Sequence, residues 1–513
     1  MMNTQINSYL STDESNYLFQ ILANANKDYF SYRGITKETL HSVDSLGFSD
    51  TQNQFLSNEL LLSSTHQKAI EPQHINTISS FSNGTNPGLT SQSGASYTSG
   101  IEALIGTNLK WNSQTISYSF MTTVPNYYPG NAEERNQFIA FNQTQQVAAR
   151  RALQLYSEVS GLKFVEVSDA GAGGTIRFGT ANIEHGSAHA YLPQNNSIGG
   201  DVWLNNSYSP NLTQSNGSFG FHTLIHEIGH ALGLKHPGNY NAGGGGAEGP
   251  YLHSDLDSNQ YTVMSYSDHP GSFANPQTPM LYDIAAIQYL YGANYNTRAG
   301  NTTYAWDASQ AFVETIWDGG GIDTINASNQ GISVTINLNP ETFSSIGPQD
   351  NGSWYSASNN LAIASGVTIE NAIGGAGNDV LIGNTVDNYL FGGSGNDYLV
   401  DNAGNDTLIG GSGNDTLIGG SGYDILTGEA GYDTFVLGDS SNVFYQGDEY
   451  ARITDFNWQY DYIQVSGTSN QYSLKNGNWF GSSAQDTAIF FGNDAIAVVQ
   501  DTNINFESDF LFV

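Results

Sequence analysis

The sequence predicts an α+β domain followed by an all-β parallel β-roll. Three observations carry that expectation. Before residue 290, apolar residues recur at helical spacing in two segments set among short strand-like runs. From 374 to 436, seven nine-residue units follow one another without a break. The charge also changes along the chain. Residues 1–300 carry 12 basic and 22 acidic side chains, and residues 301–513 carry only Arg452 and Lys475 against 26 acids. At 513 residues the chain is long enough for several domains and a sizeable core. A formal net charge of −34 argues against nucleic acid or an anionic membrane face as partner. The absence of cysteine excludes disulfides, thiolate metal sites and cysteine nucleophiles.

Residues 1–97 are polar and read as a separable N-terminal region, a candidate pro-segment. The first basic residue is Lys27, and Asp13 and Glu14 precede the modest apolar run at 17–25, so a secretory signal of that kind is not expected. Nor does any run of about 18 apolar residues offer a membrane span. Residues 98–290 form the α+β part. There, 111–120 (WNSQTISYSF) alternates like a strand, and 145–159 places Ala148, Ala152, Leu155 and Val159 on one helical face. Residues 163–167 and 175–179 read as short strands, and 221–234 as a second helix that stops near Gly233. Residues 291–436 hold the repeats and the segment before them, and 437–513 a final β region.

The second helix carries His226-Glu227-Ile228-Gly229-His230-Ala231-Leu232-Gly233-Leu234-Lys235-His236. His226 and His230 lie one turn apart on one face, so both imidazoles can reach one cation. Glu227 stands beside them, placed to hold a water rather than the metal. Gly233 can adopt the left-handed conformation that lets the chain leave the helix, and the turn brings His236 back as a third ligand. Three neutral nitrogens leave a position open for water, as a catalytic zinc requires. Zinc lowers the pKa of such a water to roughly 7 and polarises the carbonyl under attack. His222 is not needed as a ligand and is assigned to packing or to support of the ligands.

This motif resembles that of the metzincin clan of zinc endopeptidases, whose second hallmark is a methionine turn. Thr262-Val263-Met264-Ser265-Tyr266 supplies such a turn, with Met264 28 residues after His236. The resemblance implies that Met264 forms an apolar floor under the ligands and that Tyr266 helps stabilise the tetrahedral intermediate. The stretch Ala188-His189-Ala190-Tyr191 resembles the edge strand on which serralysins lay a peptide, pairing backbone with backbone.

In the nine-residue units, six of the seven have Asp at the sixth place: Asp379, Asp397, Asp406, Asp415, Asp424 and Asp433. The eighth place is always apolar: Leu381, Leu390, Leu399, Leu408, Leu417, Leu426 and Phe435. This is the calcium-binding nonapeptide of RTX β-rolls, whose Gly-rich half offers carbonyl and carboxylate oxygens to Ca²⁺. The candidate calcium residues are those aspartates with Gly375, Gly377, Gly393, Gly395, Gly404, Gly411, Gly413, Gly420 and Gly422. The second unit has Asn388 at the sixth place and lacks two of the glycines, which leaves open any site that depends on that turn. Closely spaced carboxylates repel until cations arrive, so the roll is expected to fold only with calcium.

A zinc motif followed by an RTX roll resembles one family, the serralysins, secreted bacterial metalloproteases, from about Ile101 onward. The resemblance implies a further calcium segment before the repeats: Arg298, Gly300 and Thr302 through carbonyls, then Asp318, Gly320, Gly321 and Asp323, with Thr368 and Glu370 later. It implies export by a type I ABC exporter that reads an uncleaved signal matching Asp509-Phe510-Leu511-Phe512-Val513. The N-terminal region is longer than the family's usual propeptides. Without cysteine, latency of a zymogen would rest on lack of calcium, steric blocking or a different ligand. The expected function is that of a secreted, monomeric zinc endopeptidase acting on proteins and peptides, with structural calcium. Two rivals stand: a calcium-dependent adhesin or matrix protein with a vestigial zinc site, and a metallohydrolase acting on something other than peptides. Intact Glu227 speaks against the first.

Overall fold

The apolar spacing before residue 290 becomes a set of helices laid against one sheet. The computed structural model describes residues 97–105, 109–184, 186–241, 246, 248–481 and 484–513. The expected pro-segment, residues 1–97, lies outside them except for Tyr97. The helices are α1 (Tyr97–Ile105), α2 (Gln143–Val159), α3 (Phe219–Leu232) and α4 (Leu281–Tyr291). Asn142 begins α2: its side chain accepts from Gln145 N, and the Gln145 side chain accepts from Asn142 N, both at 3.0 Å. The helix buries Ala148, Ala152, Leu155, Tyr156 and Val159, the face that the spacing predicted.

The sheet contains β1 (Thr115–Phe120), β2 (Lys163–Glu166), β3 (Ile176–Ala181), β4 (Ala188–Ala190) and β5 (Asp201–Asn205). Its order is β2-β1-β3-β5-β4, parallel apart from the antiparallel edge strand β4. The first strand is shorter than the alternation suggested. Trp111 is drawn to the helices instead, its Nε1 donating to Ala231 O at 2.8 Å and its backbone N to the Tyr291 hydroxyl at 3.0 Å.

After residue 300 the chain is β structure, most of it wound into the parallel roll, with Tyr472–Gly477 and Asp486–Phe491 added as antiparallel strands near the end. Each full turn is two nonapeptides, so the register advances by 18 residues: Leu381 pairs with Leu399, Leu399 with Leu417 and Leu417 with Phe435 on one sheet. On the facing sheet Leu390 pairs with Leu408 and Leu408 with Leu426. All seven eighth-place side chains are fully buried, which makes one apolar stack between the sheets. Residues 98–513 form one unit. Within the roll, Phe510–Phe512 adds a parallel strand beside Tyr462–Val465, and Asp509 before it is buried. No helix among the described residues is long and apolar enough to cross a membrane.

Candidate metal centres

The turn at the end of α3 decides where the histidines meet. Ser218 starts the helix by accepting from Phe221 N, and Gly233 ends it at φ 114°, where its own N–H caps the carbonyls of Gly229 and His230. A Cβ at Gly233 would collide with Leu109 O, so both conformation and space demand glycine. Beyond the turn His236 folds back, and ligand nitrogens of His226, His230 and His236 come within 4.8 Å of one another. His236 Nε2 lies 3.2 Å from His226 Nε2 and 3.1 Å from His230 Nε2.

Each Nδ1 faces an oxygen that can only accept: Val263 O at 2.7 Å for His226, Leu234 O at 2.7 Å for His230, and Asn241 Oδ1 at 2.8 Å for His236. Each Nδ1 therefore carries the proton, and each Nε2 presents a lone pair toward the others. Burial keeps these rings neutral: His230 is held down to about 3, and His226 and His236 are also lowered. Three lone pairs converging without protons fit a divalent cation, and tetrahedral ligands at about 2.0–2.1 Å from zinc would stand roughly 3.3 Å apart. Glu227 is buried, its Oε2 has no hydrogen-bond partner, and burial pushes it up to about 8.

The methionine turn lies under the site. Met264 is fully buried, and a Cβ at Gly229 would meet its Sδ at 2.7 Å, which accounts for the glycine within the motif. Asp283 of α4 fixes the turn, accepting from Thr262 Oγ1, Val263 N and Met280 N at 2.6–2.8 Å. The Val263 carbonyl held in this way accepts from His226 Nδ1 and also from His222 Nε2 at 3.3 Å. Asp283 and Asn241 were not found from the sequence, because neither stands at a motif position. The Tyr266 ring lies 4.6 Å from that of His236 and 4.7 Å from that of Tyr240, with 49% of the residue exposed.

β4 forms the rim beside α3. Ser187 O accepts from Asn205 N, and Tyr191 N donates to Asp201 O, so odd-numbered residues turn their backbone groups toward β5. By alternation Ala188 and Ala190 point theirs away from the sheet. Tyr191 also accepts from Gly200 N, and its hydroxyl donates to Glu134 Oε1 at 2.5 Å. The ring of His189 stands 3.3 Å from the same carboxylate. Of the four residues expected to pair with a peptide backbone, only Ala188 and Ala190 face outward. The backbone groups of His189 and Tyr191 turn inward to β5 instead.

The segment before the repeats gathers most of its expected calcium residues. Thr302 N donates to Asp323 Oδ1 at 2.7 Å, Asp323 N to Glu370 Oε2 at 2.7 Å, and Gly320 N to Asp318 Oδ1 at 2.8 Å. Gly321 packs on Gly300 so closely that a Cβ would meet the Gly300 carbonyl carbon at 2.7 Å, and Arg298 sits at φ 49°. Asp323 Oδ2 is buried without a partner, the kind of orphan oxygen a hard cation satisfies. Thr368 is exposed, two residues before Glu370.

In the roll each sixth-place aspartate uses Oδ1 to accept from a backbone N–H one turn away. The ladder runs Asp379 N to Asp397, Asp397 N to Asp415 and Asp415 N to Asp433, all at 2.8–2.9 Å. On the other face it joins Asn388 N to Asp406 and Asp406 N to Asp424. Oδ2 of Asp397, Asp406, Asp415 and Asp433 is buried and unpartnered, and burial pushes Asp397 up to about 8 and Asp433 to about 7. An unpaired carboxylate there takes up a proton, whereas a cation would keep it ionised. Gly393, Gly395, Gly404, Gly411, Gly413, Gly420 and Gly422 hold φ between +90° and +147°, aiming their carbonyls along the turns. Gly375 and Gly377 lack positive φ but pack where a Cβ would strike Gln330 O and Ser333 N. Asp461 continues the ladder by accepting from Asp433 N at 3.1 Å, a position hidden in the sequence because its step is 28 residues.

Residues 110–242 match the family model described as Matrixin, and residues 282–511 match the one described as Peptidase M10 serralysin C terminal. The chain is 39% identical over 299 residues to the metallopeptidase AprA of Pseudomonas marginalis, covering 52% of this chain and 60% of that protein. It is 39% identical over 306 residues to a serralysin C of Dickeya chrysanthemi, covering 54% and 60%. With the serralysin of Proteus mirabilis it shares 40% identity over 278 residues, covering 48% and 55%. The chain thus spans somewhat over half the length of the curated relatives it matches.

Proposed function

We propose that this chain, which belongs to the serralysin family of metzincin metalloproteases, is a secreted zinc-dependent endopeptidase that hydrolyses peptide bonds in proteins. The observation that carries the reading is the convergence of three imidazole lone pairs, with the buried Glu227 next to His226 in the chain and its Oε2 without a hydrogen-bond partner. His226, His230 and His236 would hold the ion. Zinc bound there would supply Lewis-acid chemistry, acidifying a water and polarising the carbonyl to be attacked.

The protein groups do the rest. The outward backbone groups of Ala188 and Ala190 would align an extended peptide as a further strand, with little demand on its side chains. Glu227 Oε2 would take the proton of the attacking water and return it to the leaving amine nitrogen. A buried carboxylate next to the cation could take the proton in the first transfer and give it up in the second. Tyr266, its ring tilted against that of Tyr240 beside His236, would offer its hydroxyl to the oxyanion. Calcium held by the roll and by the 298–323 segment would stabilise the fold. The acidic and apolar stretch 509–513 would be read by a type I exporter, and the active species would be a monomer.

Casein zymography of wild type and Glu227→Ala, with calcium and with a zinc chelator, tests the reading. Clearing by wild type alone, abolished by the chelator, is expected. Equal clearing by both proteins would overturn the role of Glu227, and no clearing by either would favour an adhesin.

A further inference from the structure

The second nonapeptide has Asn388 where the other units have an acid, and an acid outside the repeat pattern stands nearby. Every other unit on this sheet face opens on glycine, and the fourth opens on Asp401. The first place of each unit faces the sixth-place carboxylate of the same unit: a Cβ on Gly374 would lie 2.6 Å from Asp379 Oδ2, and one on Gly410 would strike Asp415. A side chain at the first place therefore projects into the carboxylate column itself. Asp401 does so, and it leans one turn back. A Cβ on Gly383 would collide with both Asp401 Oδ2 and Asn388 Oδ1, so the two oxygens border the same cradle. Asp401 is 3% exposed; its Oδ1 accepts from Asn402 N at 2.7 Å, and its Oδ2 is buried without a partner. The next carboxylate of the column, Asp406, is 1% exposed and also leaves Oδ2 unpartnered.

We infer that Asp401 restores a divalent-cation site, most suited to Ca²⁺, at the turn that Asn388 breaks. Its Oδ2, the Asn388 side-chain oxygen and Asp406 Oδ2 supply three hard oxygens. A carboxylate oxygen as deeply buried as Asp401 Oδ2, with no hydrogen-bond donor of its own, calls for a cation partner. The inference rests on the reading of the roll as a calcium-binding module and adds a ligand from outside the nonapeptide pattern.

Calcium stoichiometry of the full chain, measured by isothermal titration and by elemental analysis after gel filtration, tests it on Asp401→Asn, Asp401→Gly and the sixth-place control Asp415→Asn. The expected result is that both Asp401 variants bind one calcium fewer than wild type, or need roughly tenfold more calcium for the same occupancy. Adding Asn388→Asp to Asp401→Asn should restore the ion. If Asp415→Asn loses calcium while both Asp401 variants keep the wild-type stoichiometry and affinity, Asp401 is a buried neutral acid and the inference fails alone. If wild type binds no calcium, the roll reading and the inference fall together. Should Asp401→Asn prove insoluble, Asp401→Gly, which restores the glycine of the other units, decides.

Discussion

Replacing Leu408 by alanine probes the link between the leucine stack and calcium. Leu408 is fully buried, with Leu390 and Leu426 in register on either side and the leucines of the opposite sheet facing it. A rigid parallel stack collapses poorly around a hole, so the cost belongs in the upper part of the Leu→Ala range, about 3–4 kcal/mol. A loss of about 3 kcal/mol is a little over two decades in the folding equilibrium. If folding takes up about four calcium ions, the calcium midpoint should rise by the fourth root of that factor, roughly 3.5-fold. The assay is circular dichroism of the full chain against free calcium, with urea unfolding at saturating calcium for the energy. Tyr389→Ala, on the partly exposed seventh place, should change stability by less than about 1 kcal/mol. A Leu408→Ala protein with an unchanged calcium midpoint and a loss below about 1 kcal/mol would show that the stack does not drive folding.

Other expectations follow from single groups. Asp201 is fully buried, its Oδ1 has no partner, and burial pushes it up to about 7 from an ordinary value near 3.8. Between those values the folded state holds a proton that the unfolded state releases, so this group lowers stability as pH rises toward 7. Asp201→Asn should therefore gain a few kcal/mol on wild type between pH 4 and 8, and a constant gap across that range in urea titrations would contradict it. Gly233→Ala forces a strained φ and a clash with Leu109 O. It should cost more than about 1 kcal/mol and displace His236, seen as weaker zinc retention against a chelator; normal retention would show that the turn does not place the ligand. Calcium chelation should abolish the strand signal of the roll while leaving helical signal, and an identical spectrum with and without chelator would refute calcium-dependent folding.

Much of this architecture was legible in the sequence because it is periodic. Histidines at helical spacing, a glycine where the helix must turn, and an apolar residue every ninth place each follow from local geometry. What holds those residues was not legible. The protons of His226 and His230 go to main-chain carbonyls of Val263 and Leu234, which no side-chain pattern announces. Asp283 reaches the methionine turn from a helix of its own, and Asp461 joins the ladder after the period has ended. The parity of β4 is also a tertiary fact. Only its pairing with β5 decides that Ala188 and Ala190, rather than Tyr191, face outward. Asp401 was visible as a departure from glycine, but its meaning needed the turn below it.

The central claim, that three neutral imidazoles and a buried glutamate make a zinc-dependent peptidase, is tested most directly by turnover of an unstructured peptide substrate. Glu227→Gln should be measured on protein whose zinc content matches that of wild type. The account predicts one retained zinc per chain and a fall in kcat/KM of about 10²–10⁴-fold, the share of general-base catalysis. Undiminished turnover at equal zinc content would contradict it.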